Sequence, residues 1–354
     1  MKAYVLESVA KLEWKEVERP ALKDGEVLVE VKAAGVCGSD IPRIFQTGTY
    51  HFPTIPGHEF SGNVVEAYGE RESVWLGKRV GVFPLIPCGT CSSCEKQAYE
   101  MCSNYNYLGS RCDGGFAEYV AVPVWNLIEL PDEVRYEEAA MLEPASVALH
   151  VVRKLDLSHV KKVALLGLGT IGSIIVQWLA DYGIEEVLAT GHRAEFGTVM
   201  KEVADEHYQY LNAQDADVVS WITSATDGQG VDIVIDCIGS EQSLADSIAS
   251  VTPGGQILIV ANPKGDVSLP KNVYWQILRK QIRLFGTWNS SFWHSEEDDW
   301  HQVLKACCEK RLRLSELITH KFSFEQLHDG LDVMRQKNEY RNKVMICNMN
   351  DSEK

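Results

Sequence analysis

Four cysteines, Cys88, Cys91, Cys94 and Cys102, stand in the pattern C-x2-C-x2-C-x7-C. Thiolates at this spacing can close a tetrahedron around Zn2+, and the residues between them (Gly89, Thr90, Ser92 and Ser93) are small enough to let the chain turn. Four sulfur ligands leave no position for water or substrate, so a metal held here is structural and stabilises its own lobe. A redox C-x-x-C pair or an iron–sulfur cluster would use the same residue types, but neither accounts for the rest of the chain.

A second set of ligand types is dispersed. Cys37 lies in Gly35-Val36-Cys37-Gly38-Ser39-Asp40, His58 and Glu59 in Pro56-Gly57-His58-Glu59, and Glu143 in Leu142-Glu143-Pro144. Taken singly they read as a packed thiol, a core histidine and a solvated helix residue. A third pattern, Gly167-Leu168-Gly169-Thr170-Ile171-Gly172, follows the apolar run Val163–Leu166 and opens the helical repeat Ile174, Ile175, Val176, Trp178, Leu179. In a strand–turn–helix unit Gly167 permits the turn, Gly169 lets backbone approach a pyrophosphate, and Gly172 lets helix pack on strand. The helix N-terminus, at Thr170 and Ile171, offers N–H groups and positive dipole to phosphate.

Two kinds of element must position these groups. Met1–Ser8, Leu12–Glu18, Glu26–Ala33, Gly62–Ala67, Arg79–Phe83 and Phe116–Val122 read as short strands with Gly and Pro turns, a small barrel or sandwich. From about Val151 strands alternate with helices: Lys162–Leu166, Glu186–Thr190, a helix around Phe196–Glu206, Val231–Asp236, a helix near Glu241–Ser250, Gln256–Val260 introduced by Pro253-Gly254-Gly255, and Arg283–Gly286. That alternation predicts a doubly wound parallel sheet. The remainder reads as helices around Trp300–Glu309 and Phe324–Gln336 and a strand at Lys343–Cys347. The expected segments are residues 1–150, 151–286 and 287–354.

The 354 residues are 45% apolar and 24% charged, a globular composition with room for two cores. A net charge of −16 argues against a nucleic-acid groove or an anionic membrane surface. Charged residues interrupt the N-terminal region as they would not in a signal peptide, and the other five cysteines (Cys112, Cys237, Cys307, Cys308, Cys347) read as reduced packing thiols, so the expected location is the cytoplasm.

Together the four-cysteine lobe, the Gly-His-Glu segment and the nucleotide glycines, in this order and spacing, resemble the zinc-dependent medium-chain dehydrogenase family, the alcohol and polyol dehydrogenases. The resemblance covers the whole chain. It implies a GroES-like catalytic domain, an inserted Rossmann domain, and return of the chain to the catalytic domain. It assigns Cys37 and His58 to a catalytic zinc, with Glu143 beside it and Glu59 as an exchanging or supporting ligand. Glutamate in the third ligand position is similar to the sorbitol dehydrogenase branch. The implied reaction is oxidation of an alcohol with hydride transfer to nicotinamide. Ser39 is the implied first proton acceptor. Many relatives continue the relay three residues beyond that serine with histidine; Pro42 stands there and cannot carry a proton.

Within the family, Gly38–Phe45, Pro84–Cys88, Gly109–Tyr119 and Ile277–Lys280 resemble polyol-phosphate dehydrogenases that act on a galactitol 1-phosphate-like sugar-alcohol phosphate. Arg43 is the expected phosphate-binding residue, because a guanidinium pairs bidentately with phosphate; a surface arginine is the competing reading. Tyr50, Trp288 and Asn289 are candidate lining residues. At the end of the second Rossmann strand Gly191 takes the place of the acidic residue that binds ribose hydroxyls, and His192 and Arg193 follow. NADP is therefore expected in preference to NAD. Cys237, with Asp236 and Gly239, is expected near the nicotinamide ribose, and Arg341 and Lys343 either near cofactor phosphate or as solvated charges. The partners implied are a small-molecule polyol or its phosphate and a second copy of the chain, as homodimer or homotetramer. Alternatives left open are an unphosphorylated polyol, diol or other secondary alcohol, a zinc-free quinone reductase, and a non-catalytic nucleotide sensor.

Overall fold

The computed structural model describes residues 1–203, 208–263, 265–336 and 338–347. In chain order the strands are β1 (Lys2–Ser8), β2 (Lys11–Glu16), β3 (Glu26–Val36), β4 (Glu59–Ala67), β5 (Arg79–Val82), β6 (Leu85–Ile86), β7 (Asn106–Tyr107), β8 (Tyr119–Pro123), β9 (Leu127–Glu129), β10 (Lys162–Leu166), β11 (Glu186–Gly191), β12 (Tyr208–Asn212), β13 (Val231–Asp236), β14 (Val251–Ile259), β15 (Arg283–Gly286), β16 (Ile318–Phe322) and β17 (Lys343–Cys347). They fall into two compact units: Met1–Ser146 together with the chain from Ser290 onward, and Val147–Asn289.

The first unit is built on a sheet in the order β16-β17-β3-β4-β5-β9, with β8 also paired to β3. Apolar residues alternate along β3, and Val27, Val29 and Val31 point into a core with Phe60, Val64, Val80, Phe116 and Ile346. β17 closes antiparallel on β3, from Val344 opposite Val36 to Cys347 opposite Ala33. The register of β3 with β4 sets Gly35 opposite Glu59. It therefore brings the residues just past one strand and just before the other, Cys37 and His58, to the same end of the sheet. The 22 residues from Cys37 to His58 lie between these two strands of the GroES-like unit, while the strand ends stay paired.

The second unit is a six-stranded parallel sheet in the order β12-β11-β10-β13-β14-β15, a Rossmann arrangement. β10, β13 and β15 have the bounds read from the sequence. β14 begins earlier, at Val251, and runs through Pro253-Gly254-Gly255 with a register shift against β13. A Cβ on Gly255 would stand 2.7 Å from the Asp232 carbonyl, so the glycine admits a close strand approach rather than a preceding turn. The helix expected over Phe196–Glu206 is described from Glu195 to Val203, and its end lies outside the described residues. β12 and the helices Val218–Ala225 and Lys271–Lys280 were not foreseen, although both helices carry apolar residues at helical spacing (Val218, Ile222 and Ala225; Val273 and Ile277). Among the described residues no helix is long and apolar enough to cross a membrane.

Candidate active site and cofactor cradle

Cys37, His58 and Glu59 offer ligand atoms that all lie within 4.8 Å of one another. His58 is 4% exposed and Glu59 1%. Two buried donors and a half-buried thiol of these types suit a zinc with an open position. The support behind them agrees. Asp40, fully buried, lies 3.4 Å from His58 Nδ1. Asp40 also accepts from the Cys37 N–H at 2.9 Å and from the Arg43 guanidinium at 2.8 Å. Burial alone would raise the Asp40 carboxyl; His58, Arg43 and the Cys37 N–H outweigh it and hold it below its usual range. A carboxylate behind a ligating imidazole fixes the ring's orientation and strengthens it as a ligand.

Glu59 pairs with the ammonium of Lys343, which is itself buried. Glu143, in the first turn of the helix Leu142–Lys154, is not among the three clustered donors. Its Oε1 accepts from the Tyr107 hydroxyl at 3.2 Å. Burial, then the neighbouring Glu59 charge, push its carboxyl up to about 7, against His58, Lys343 and Tyr107, which draw it down. The Ser39 hydroxyl donates to Cys37 Sγ at 3.3 Å. Pro42 ends the helical turn Asp40–Pro42.

The remaining expectations fare differently. Arg43 does not stand free for a ligand: its guanidinium is bound to Asp40 and its side chain is 19% exposed. Tyr50 is 70% exposed, and its ring lies 4.1 Å from the Arg111 guanidinium. Lys343 does not reach for cofactor phosphate, because its charge is spent on Glu59. Trp288 is half exposed, and Asn289 has a left-handed backbone with φ 56°. Asp40 and Tyr107, which contact the donor set, were not among the expected site residues. Asp40 had a signal, three residues after Cys37 in the same frame; Tyr107 had none.

The four-cysteine lobe is assembled. Sγ–Sγ distances are 3.5 Å for Cys91–Cys94, 3.8 Å for Cys91–Cys102 and 3.9 Å for Cys88–Cys94. A tetrahedron with Zn–S bonds of about 2.3 Å has edges of about 3.8 Å. Backbone N–H groups of Cys94 and Ser103 bring the Cys91 thiol down to about 5, toward the thiolate a metal needs.

In the second unit Gly167 has φ 100°, and a Cβ there would stand 2.8 Å from Ile238. A Cβ on Gly172 would meet the Gly167 carbonyl at 2.5 Å. A Cβ on Gly169 would meet no protein atom within 4 Å; it would enter the open space at the start of the helix Thr170–Asp181, where a pyrophosphate would rest. The residues thus fit a dinucleotide. Gly191 ends β11, and a Cβ there would stand 2.7 Å from the Tyr210 hydroxyl. That hydroxyl donates to the Arg193 carbonyl at 2.5 Å and accepts from the Arg193 N–H at 3.3 Å. His192 is exposed, and Arg193 is partly buried. Cys237 follows β13, its thiol pushed upward by burial and then by Asp236. Asp236 is committed to Ser243 and to the Ile238 and Gly239 N–H groups.

Residues 23–132 match the family model for the alcohol dehydrogenase GroES-like domain, and residues 170–309 that for zinc-binding dehydrogenase. The chain belongs to the zinc-dependent medium-chain dehydrogenase family. Galactitol 1-phosphate 5-dehydrogenase of Escherichia coli (strain K12) is 31% identical over 313 residues, 88% of this chain and 89% of that one. The crystal structure of galactitol-1-phosphate dehydrogenase from Escherichia coli superposes with a TM-score of 0.88 at 30% identity, over 98% of this chain and 100% of that one. A zinc-binding dehydrogenase from Sinorhizobium meliloti 1021, bound to NADP, gives 0.88 at 28% identity, over 98% and 99%. Members of this family are zinc- and nicotinamide-dependent oxidoreductases, and the donor sets above are of that kind.

Proposed function

We propose that the protein oxidises a secondary alcohol of a galactitol 1-phosphate-like sugar-alcohol phosphate to the ketose phosphate and passes the hydride to NADP+. The observation that carries this reading is the clustered Cys37–His58–Glu59 donor set, backed by Asp40, in a chain similar over most of its length to a dehydrogenase of that substrate. Zinc bound at such a set supplies Lewis acidity to a substrate hydroxyl. Asp40 orients His58, Lys343 balances the charge of Glu59, and Ser39, beside Cys37, is the nearest hydroxyl for the departing proton. Glu143 joins them as the further carboxylate ligand, direct or through water. With Pro42 at the next relay position, the proton leaves to bulk water.

NADP is supported by the missing carboxylate at Gly191 and by Tyr210, which occupies the space an acidic side chain would need. Arg193 then faces the 2′-phosphate. A homodimer or homotetramer is supported by the exposed Tyr274, Trp275 and Leu278 on the helix Lys271–Lys280, beside the edge strand β15. Oxidation of an unphosphorylated polyol is the second reading, favoured by the engagement of Arg43 with Asp40.

Initial rates of zinc-loaded protein with galactitol 1-phosphate and galactitol, each with NADP+ and NAD+, test both. Turnover of the phosphate in preference to the polyol is expected, with NADP+ the better acceptor. Equal turnover of the two polyols would favour the second reading, and a larger kcat/KM with NAD+ would overturn the cofactor assignment.

A further inference from the structure

Arg43 is the arginine nearest the metal ligands in sequence, but another guanidinium is better placed for an anion. The Arg111 guanidinium lies between two tyrosine rings, 4.1 Å from that of Tyr50 and 4.3 Å from that of Tyr105. Cation–π contact on both faces holds the plane and leaves only its edge for hydrogen bonding. Of the five N–H groups an arginine offers, one donates to the Tyr105 carbonyl at 3.3 Å, and the side chain also interacts with the side chains of Tyr50 and Tyr105. The Nε–H is buried and has no partner. Among the described residues no carboxylate lies within ion-pair distance of Arg111, in a chain whose net charge is −16.

The position of Arg111 is fixed relative to the reaction centre. Its N–H donates to the Tyr107 carbonyl at 2.9 Å, and the Tyr107 hydroxyl holds Glu143. The Tyr107 ring lies 5.9 Å from that of His58 and 6.2 Å from that of Tyr105. The loop carrying Arg111 packs backbone to backbone on the residue before His58: a Cβ on Gly109 would stand 2.5 Å from the Gly57 carbonyl, and one on Gly114 2.1 Å. The Arg111 carbonyl is held in turn by His51 Nε2 at 3.1 Å.

We infer that Arg111 is the anion anchor of the active site, its guanidinium edge taking the phosphate monoester of a substrate whose hydroxyl lies at the Cys37–His58–Glu59 set. This rests on the substrate reading above and replaces Arg43 in that role. A stacked, charged fork without a counter-ion is preorganised for a dianion, since little rotamer freedom is left to lose.

The test uses zinc-replete full-length protein with NADP+. Titration calorimetry with inorganic phosphate is expected to show binding that Arg111→Gln weakens about 10- to 100-fold, with Arg111→Lys between the two. The preference for galactitol 1-phosphate over galactitol, as a ratio of kcat/KM, should fall by a similar factor. Tyr50→Leu removes one stacking face at an exposed position; about threefold weaker phosphate binding is expected, so the inference stays testable should Arg111→Gln fail to fold. Equal phosphate affinity in the wild type and both variants, or no binding to the wild type, overturns it. If phosphate binds through Arg111 while both polyols turn over equally, the anion site stands and the substrate reading falls. If the wild type prefers the phosphorylated polyol and Arg111→Gln retains that preference, the substrate reading stands and Arg111 is excluded.

Discussion

Lys343 on β17 donates to Glu59 at the start of β4, with the two side chains 2% and 1% exposed. A charge from the C-terminal part of the chain is thus buried against the residue that follows His58. Gly35 makes room for the pair, because a Cβ there would collide with the Glu59 carboxylate and the Lys343 stem. Burying either charge alone would cost several kcal/mol.

Lys343→Met should therefore leave Glu59 charged and unbalanced. We expect a loss of about 3–5 kcal/mol in urea unfolding, with reduced zinc content. Lys343→Met combined with Glu59→Gln should recover much of the stability but not the metal. A stability loss in the double variant equal to that of the single one would show that packing, not charge, sets the cost.

Asp40→Asn keeps the shape but removes the charge behind His58. Zinc affinity, measured by chelator competition, should fall about 10- to 100-fold. The four-cysteine site, distant in sequence, should retain its metal, so the fall should be confined to one of two zincs per chain. Cys94→Ser should do the reverse and destabilise the lobe.

The Glu143 carboxyl, raised from 4.5 to about 7 chiefly by burial, gives a pH signature in metal-free protein. A carboxyl that holds its proton more tightly when folded adds stability below its unfolded pKa. That stability is lost as pH rises from 4.5 to 7. The loss should be on the order of 3 kcal/mol, and Glu143→Gln should abolish it. A variant with the same slope as the wild type over this window would assign the slope elsewhere.

Cofactor selectivity has a structural condition. Gly191→Asp alone places its Cβ 2.7 Å from the Tyr210 hydroxyl, so the Tyr210 side chain or the strand end must shift. Adding Tyr210→Phe removes that oxygen. The double variant should lower the NADP+/NAD+ ratio of kcat/KM about 10-fold or more, with smaller stability loss than Gly191→Asp alone. An unchanged ratio would place selectivity outside this loop.

Local pattern carried much of this protein. Four cysteines within 15 residues need only a compact turn to meet, so their lobe was legible, as were β10 and its glycine turn, where strand, turn and helix are neighbours in sequence. The frames around Cys37 and His58 named the donors, while the register of β3 and β4, settled by pairing along two whole strands, decided that they meet. Contacts across long separations left no trace in residue type or period. Lys343 reaches Glu59 only once β17 closes on β3, Tyr210 fills the space beside Gly191 only once β12 pairs with β11, and Tyr50 and Tyr105 enclose Arg111 only once three loops fold together. Sequence determined which chemistry the chain could carry; the tertiary structure decided which charges are buried and which are balanced.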